Sequence, residues 1–323
     1  MELVKHFSVI IIGAGPAGVG AAVALSKSGV NSVAVLERNN KIGGISSLYK
    51  KKKGGVRTFV RWSKGGIPVS GAEYADWLER ILFKTAVQVK TESQVIDIDA
   101  IKKMVTYVNP AEGKVRITAD AVIMACGSRE KNQAERGWIS GSRPARVLFT
   151  KQLLGLLNEQ SILPFKHPVI LGSDVLAYAV AAKLTHAGAS EPIIIDQFSS
   201  PRCSFAERFF FRAWTNPFYR STNLESVEIA GDQIVTGVRF GGATIPCDGL
   251  MICGDLIPNT ELVMQGKLKA DAVTRIPFVN RDFGLSQPGW FAAGNILGGF
   301  HGAEWCYFNG FRTARQLVKN RNL

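Results

Sequence analysis

The sequence predicts an α/β protein, because one strand–glycine turn–helix–strand unit occurs in it twice. Two further observations support that class. Each copy runs 24 residues from its first glycine to a carboxylate, Gly13 to Glu37 and Gly172 to Asp196. At 323 residues the chain also exceeds the roughly 250 to 300 over which a single hydrophobic core keeps growing, so two domains are expected.

Ser8 to Ile12 is a β-branched run that suits a strand buried on both faces of a parallel sheet. Gly13 to Gly18 reads GAGPAG, a small-residue pattern predicts a helix to about Ser28, and Gly29 closes it. Val33 to Leu36 is a second apolar run, ending at Glu37. In this setting each glycine has a mechanical task. Gly13 permits a tight turn, Gly15 lets backbone approach a pyrophosphate, and Gly18 lets the helix lie close on the strand. The helix start offers N–H groups and partial positive charge to phosphates, and Glu37 is placed to accept from a ribose diol. The charge-free run Phe7 to Ser26 has the length of a membrane span, but the glycine turn inside it breaks a spanning helix.

Val87 to Val89, Val95 to Ile98 and Met104 to Val108 read as short strands, and Asp120 to Ala125 as a buried one ending in Cys126-Gly127. In the second copy Pro168 to Leu171 is a strand, Gly172 to Leu176 a turn, Ala177 to His186 a helix and Pro192 to Ile195 a strand. The fold is therefore two Rossmann-like dinucleotide-binding domains, the second inserted into the first.

The net charge of +13 is local. No acid occurs between Glu37 and Glu73, where Arg38, Lys41, Lys50, Lys51, Lys52, Lys53, Arg57, Arg61 and Lys64 lie. A basic loop without a binding module does not make a nucleic-acid protein. It is compatible with an acidic substrate, an acidic partner, peripheral contact with anionic lipid, or a solvated surface of no particular task. Five cysteines without a CxxC pair argue against a disulfide framework, a metal cluster and a local dithiol. With no export signal, a cytoplasmic location is expected.

Beyond the glycine turns, the chain carries Gly43-Gly44 in KIGG, ACGSRE at Ala125 to Glu130, ICGDLIPNTEL at Ile252 to Leu262 and PGWFAAGN at Pro288 to Asn295. With these motifs it resembles, over nearly its whole length, the FAD-dependent flavoprotein reductases related to the pyridine-nucleotide-disulfide reductases. Within that group WSKGGIPVSGAEYADWL, and ACGSRE followed by ISGSRPARVLFTKQLLGLL, look most like FAD-binding subunits of heteromeric dehydrogenases. Those relatives act on opines, proline, hydroxyproline or glycerol 3-phosphate, or release cyanide from glycine.

The resemblance implies an FAD-binding domain of residues 1–130 and 255–323, with a NAD(P)-binding-like domain at 131–254 between them. It implies that Gly13, Gly15, Ala17 and Gly18 hold the FAD pyrophosphate, and Glu37 the adenosine ribose with Arg38 beside it. Gly43 and Gly44 would flank the phosphates, Val95 would meet adenine through its backbone, and Ala125 and Gly127 would line the return crossing. Gly294 and Asn295 would reach the ribityl chain. The helix opening at Gly302-Ala303 would aim its N–H groups at the flavin and stabilise its anionic reduced form. His301, just before that helix, is a candidate proton donor or acceptor, against the plainer reading of a hydrogen-bonded capping residue.

The chain departs from the family pattern in three ways. Asn295 stands where Asp is usual. The second turn reads GSDVLA, so Asp174 and Ala177 replace two glycines; a carboxylate there repels a pyrophosphate, and NAD(P) in its usual pose is not expected. No dithiol is present to relay electrons. These departures favour an FAD-dependent oxidoreductase subunit that acts on a small-molecule substrate, an amino acid, opine or related metabolite, with a second (flavo)protein. The alternatives are a self-contained NAD(P)H-dependent reductase of ferredoxin or quinone type and a non-catalytic FAD-binding assembly subunit. The stretch Phe198 to Tyr219, dense in aromatics and arginines, reads as a region outside the strands, either an interface, a helix whose aromatics fill the groove between domains, or a membrane-surface contact.

Overall fold

In the computed structural model, which describes residues 4–49, 59–61, 66–136, 143–224, 227–240 and 242–321, the chain divides into two compact units. One holds the described residues of 1–47, 59–129 and 256–323, the other those of 48–58 and 130–255. The basic residues Lys50, Lys51, Lys52, Lys53, Arg57 and Lys64 lie outside the described residues.

In the first unit, strand Lys5–Ile12 lies between Val33–Leu36 and Gly113–Met124 and runs parallel to both. Gln88–Lys90 extends the sheet beyond Val33–Leu36. The strand expected at Asp120 to Ala125 is the end of the longer Gly113–Met124, which changes partners along its length. Its first half pairs antiparallel with Met104–Asn109 and buries alternate residues; its second half takes Trp290–Ala292 in parallel and is buried on both faces. Side-chain alternation splits the core in two. Val9 and Ile11 pack with Ala21, Leu25 and Leu78, whereas Ile10 and Ile12 pack with Tyr107, Met124 and Trp290. Each such side chain, fully buried, contributes about 1.5–3 kcal/mol.

The charge-free run from Phe7 becomes strand, turn and the helix Pro16–Lys27, with Pro16 opening the helix and Ser28 and Gly29 ending it. Among the described residues no helix is long and apolar enough to cross a membrane. The last helix, Ala303–Arg321, packs on Pro16–Lys27 through two bare positions. A Cβ on Gly20 would lie 2.1 Å from the Tyr307 carbonyl oxygen, and one on Gly310 would lie 1.9 Å from that of Ala17.

The second unit has five parallel strands in the order Val147–Phe149, Gly249–Ile252, Pro168–Leu171, Ile193–Asp196, Phe218–Ser221. The order in which the chain adds strands reverses at Pro168–Leu171, the topological switch point of the sheet. The following helix covers Val175–His186, beginning inside the stretch expected to be a turn, because Asp174 caps it. The region Phe198 to Tyr219 contains the helix Phe205–Phe211, and it does not lie wholly outside the strands, because Phe218 and Tyr219 begin the edge strand Phe218–Ser221.

Candidate functional site

The first glycine turn is locked between two strand ends. Gly13 N–H donates to the Leu36 carbonyl at 2.8 Å, and Ala125 N–H donates to the Ile12 carbonyl at 2.9 Å. Gly13 has φ +107°, and a Cβ there would lie 2.5 Å from the Ala125 carbonyl oxygen, so a side chain is excluded twice over. A Cβ at Gly18 would lie 1.8 Å from the Gly13 oxygen, so the helix sits directly on the turn. Gly15 is the N-cap, in extended backbone with φ −71° and ψ −177°, and no side chain caps the first-turn N–H groups of a helix that includes Ala17 and Gly18. That leaves a helix start with donors available to an anion.

Glu37 is buried and fixed by three donors: Ala14 N–H at 2.8 Å, Asn39 N–H at 2.9 Å and Asn39 Nδ2 at 2.7 Å. Asn39 belongs to none of the sequence motifs, although a polar amide two residues past a buried acid is a usable signal. Arg38, between them, is exposed. The Ala14 carbonyl accepts from Gly43 N–H at 2.9 Å, and a Cβ on Gly44 would come 3.2 Å from the Gly15 Cα, so two bare backbones face each other across the turn. Ser93 N–H donates to the Glu37 carbonyl at 2.8 Å and brings the strand Gln94–Asp99 up to the acid. In that strand the Val95 carbonyl accepts from Gln94 Nε2 at 3.0 Å.

On the return crossing a Cβ at Gly127 would meet nothing within 4 Å, and the Gly127 carbonyl accepts from Asn259 N–H at 3.0 Å. Next to Asn259, the buried Thr260 hydroxyl has no hydrogen-bond partner among the described residues. Burial pushes the Cys126 and Cys306 thiols up to about 12, so neither is a thiolate near neutral pH.

Gly294 N–H donates to Asn309 Oδ1 at 2.7 Å, a contact signalled in the sequence only by a polar residue within a helix. The Asn295 side chain holds the backbone of His301: Oδ1 accepts from His301 N–H at 3.1 Å and Nδ2 donates to the His301 carbonyl at 3.2 Å. Asp would lack the second bond, which explains the departure at this position. The His301 ring stacks on Trp305, with centroids 3.7 Å apart and planes at 21°. Just after it a Cβ on Gly302 would meet nothing within 4 Å, and Ala303 opens the last helix.

The second turn repeats the frame of the first. Gly172 N–H donates to the Ile195 carbonyl at 2.8 Å and Cys253 N–H to the Leu171 carbonyl at 2.9 Å, as Gly13 and Ala125 do. The Ser173 carbonyl accepts from Cys203 N–H at 3.0 Å, as Ala14 accepts from Gly43. The positions left bare in the first unit nonetheless carry side chains here. Asp174 holds Gly15's place and its carboxylate accepts from Leu176 N–H at 3.1 Å and Ala177 N–H at 3.2 Å. Ala177 replaces Gly18, and Cys203-Ser204 replaces Gly43-Gly44. Asp196, in Glu37's place, is taken by Ser173 Oγ at 2.6 Å, Gln197 N–H at 2.7 Å and the Arg202 guanidinium at 3.5 Å. Burial raises the pKa of Asp174, and burial lifts Glu130, which accepts from Thr150 N–H and Oγ1, to about 7.

The residues of the first unit fit FAD. The helix start is uncapped by any side chain, Gly15 and Gly44 present backbone only, and space is open at Gly127 and Gly302. The orphaned Thr260 hydroxyl offers a further polar contact. Comparison with known proteins agrees. The family model described as pyridine nucleotide-disulphide oxidoreductase matches residues 7–316. An opine oxidase subunit of Rhizobium meliloti is 25% identical over 288 residues, covering 81% of this chain and 52% of that protein. A soluble pyridine nucleotide transhydrogenase of Photorhabdus laumondii is 24% identical, covering 97% and 71%. The chain spans about half the length of the opine oxidase subunits it matches. The thioredoxin reductase structure from T. acidophilum superposes with TM-score 0.76 at 23% identity, covering 99% of this chain and 100% of that one, and shares its fold.

Proposed function

The chain belongs to the pyridine nucleotide-disulphide oxidoreductase family, as an FAD-dependent oxidoreductase, and we propose that within it this is the FAD-binding subunit of a heteromeric dehydrogenase or oxidase. Its substrate is an amino acid, an opine or a related small metabolite, and its second unit has given up nicotinamide dinucleotides. Residues 1–130 and 255–323 form the FAD-binding domain, and 131–254 the altered second one.

One observation carries the reading: the second nucleotide frame keeps its hydrogen bonds while Asp174, Ala177, Cys203 and Ser204 occupy the places that are bare backbone in the first. With its own cap carboxylate on the helix N–H groups, the second turn meets a pyrophosphate with negative charge instead of donors. Electrons then reach or leave the flavin through a substrate or another protein, since the chain has no CxxC. The opine oxidase relatives, named as subunits, support the two-chain form.

FAD supplies a ring that accepts and returns a hydride or electrons. The residues around it have simpler tasks. Gly13, Gly15, Ala17 and Gly18 present backbone to the pyrophosphate, with Gly43 and Gly44 on its other side. Glu37 accepts from the ribose diol in Arg38's company, and Val95 lines the adenine end. Ala125 and Gly127, then Gly294 and Asn295, line the path to the flavin, where the helix at Gly302-Ala303 contributes its N-terminal dipole. His301 and Trp305 form a stacked wall at that helix start.

Anaerobic mixing of the purified yellow protein with NADH or NADPH tests the reading. The visible flavin absorbance is expected to persist, and to fall only when the substrate and the second chain are supplied. Rapid bleaching by either nucleotide would instead make this a self-contained nicotinamide-dependent reductase.

A further inference from the structure

We propose that the helix Phe205–Phe211 is the seat of the partner protein, and that the partner meets it with an apolar groove rimmed by carboxylates. This rests on the two-chain reading above. The helix follows the segment that closes the second glycine turn: Arg202 N–H donates to Ser173 Oγ at 3.1 Å and Cys203 N–H to the Ser173 carbonyl at 3.0 Å. In the first unit the corresponding segment is Gly43-Gly44, followed by the short turn of helix Gly44–Leu48. Where the first unit has only that five-residue turn, the second has the longer α-helix Phe205–Phe211.

That helix is ordered from within. Ser204 and Glu207 form a capping box, with Glu207 accepting from Ser204 N–H at 2.9 Å and Ser204 Oγ accepting from Glu207 N–H at 3.2 Å. Phe211 is buried and stacks on Tyr178, with centroids 6.4 Å apart. The opposite side is apolar as well. Phe205 and Phe209, one turn apart, are 73% and 64% exposed, and their rings stack at 6.4 Å. Burying two such rings is a gain the isolated chain forgoes. Rings already aligned on a capped helix lose little freedom on docking, and an i, i+4 pair is how a helix enters a protein groove.

The charge around the rings selects the occupant. Arg212 is exposed one position beyond the helix, and the Arg202 guanidinium, paired with the buried Asp196 at 3.5 Å, lies 5.0 Å over the half-exposed Phe198 ring. The one acid of the helix, Glu207, is spent on its own cap. A second copy of this chain would bring arginines against arginines. Aromatic and Arg anchors meeting carboxylates across a groove are the usual make-up of a binding hot spot.

The test uses the full chain, tagged and expressed in its own host. Wild type is expected to elute as a stoichiometric complex with one second chain. Phe205→Ser with Phe209→Ser, and separately Arg212→Glu, should weaken that complex at least tenfold while FAD content and melting temperature stay at wild-type values. A photo-reactive phenylalanine analogue at position 209 should cross-link to an Asp- or Glu-containing peptide of the second chain. Retention of the second chain by the double variant would overturn the location alone. So would cross-linking to another copy, or binding of wild type, lost in the double variant, to phosphatidylglycerol vesicles. Wild type isolated without any stoichiometric second chain would overturn the two-chain reading and this inference together.

Discussion

Gly15 and Asp174 stand at the same place in two copies of one frame and share one backbone conformation, φ −71° and ψ −177° against φ −77° and ψ 179°. Gly15 leaves the first-turn N–H groups of its helix without a side-chain cap, and Asp174 takes them with its own carboxylate. The difference between an uncapped and a capped turn is thus one side chain on the same local backbone conformation.

Gly15→Asp should therefore turn the first cradle into a copy of the second. Its backbone already has the conformation of an Asp N-cap, so the apoprotein is expected to keep its stability or gain about a few tenths of a kcal/mol. FAD uptake, followed by flavin fluorescence quenching, should fall by two orders of magnitude or more. Wild-type uptake in this variant would show that the pyrophosphate does not lie on the helix start.

Asp174→Gly alone should not restore nicotinamide binding. It frees the N–H groups at a cost of about a few tenths of a kcal/mol, but Ala177, Cys203 and Ser204 still fill places that are bare in the first unit. Titration with NADH is expected to show binding only when all four positions are changed to glycine. Saturable binding by the single variant would make Asp174 the sole obstacle.

The nucleotide frame is legible in the sequence because its constraints are local. Gly13, Gly18 and Glu37 lie within one strand–helix–strand unit, and the spacing that places them also exposes Asp174 and Ala177 as departures. What escapes depends on distant chain. The partners of Gly294 and Gly20, on the last helix, are brought by a segment with no local signature. The contact of the Asn295 side chain with the backbone of His301, six residues on across a glycine-rich turn, has no signature in the motif itself. The aromatic stretch is visible as composition, but which rings face out depends on the Ser204 capping box and on Phe211 meeting Tyr178.

Asn295 holds both backbone groups of His301, so Asn295→Asp replaces a donated bond with two oxygens facing each other. The loop ahead of the last helix should loosen, at about 1–3 kcal/mol of apoprotein stability. Cys306, whose thiol lies 3.3 Å from Asn295 Oδ1, should become faster to alkylate, as read by mass spectrometry of its peptide. An unchanged Cys306 rate and an unchanged melting temperature would show that the clamp contributes nothing.

Gly310→Ala tests the helix contact that supports the glycine turn. A Cβ 1.9 Å from the Ala17 carbonyl oxygen cannot be accommodated without moving the first helix, so melting should drop by an amount equivalent to about 3 kcal/mol. Gly155→Ala is the control. That residue ends the helix Thr150–Gly155 with nothing within 4 Å, so alanine should be neutral or stabilise by about 0.5–1 kcal/mol.

Glu130 makes stability depend on pH in a direction that can be worked out in advance. Burial is the main cause that lifts its carboxyl from 4.5 to about 7; the two Thr150 donors oppose it, and the Asp174 charge adds to it. Between those values the folded chain holds a proton that the unfolded chain has released. The stabilisation is therefore complete below pH 4.5 and is lost as pH rises to about 7. A shift of that size corresponds to something on the order of 3 kcal/mol. Glu130→Gln removes the titration, so its melting temperature should change less than that of wild type between about pH 5 and pH 8. The difference between the two curves should develop almost entirely below about pH 7 and stay level above it. Parallel curves for the two proteins would mean that Glu130 does not hold a proton in the folded chain at neutral pH.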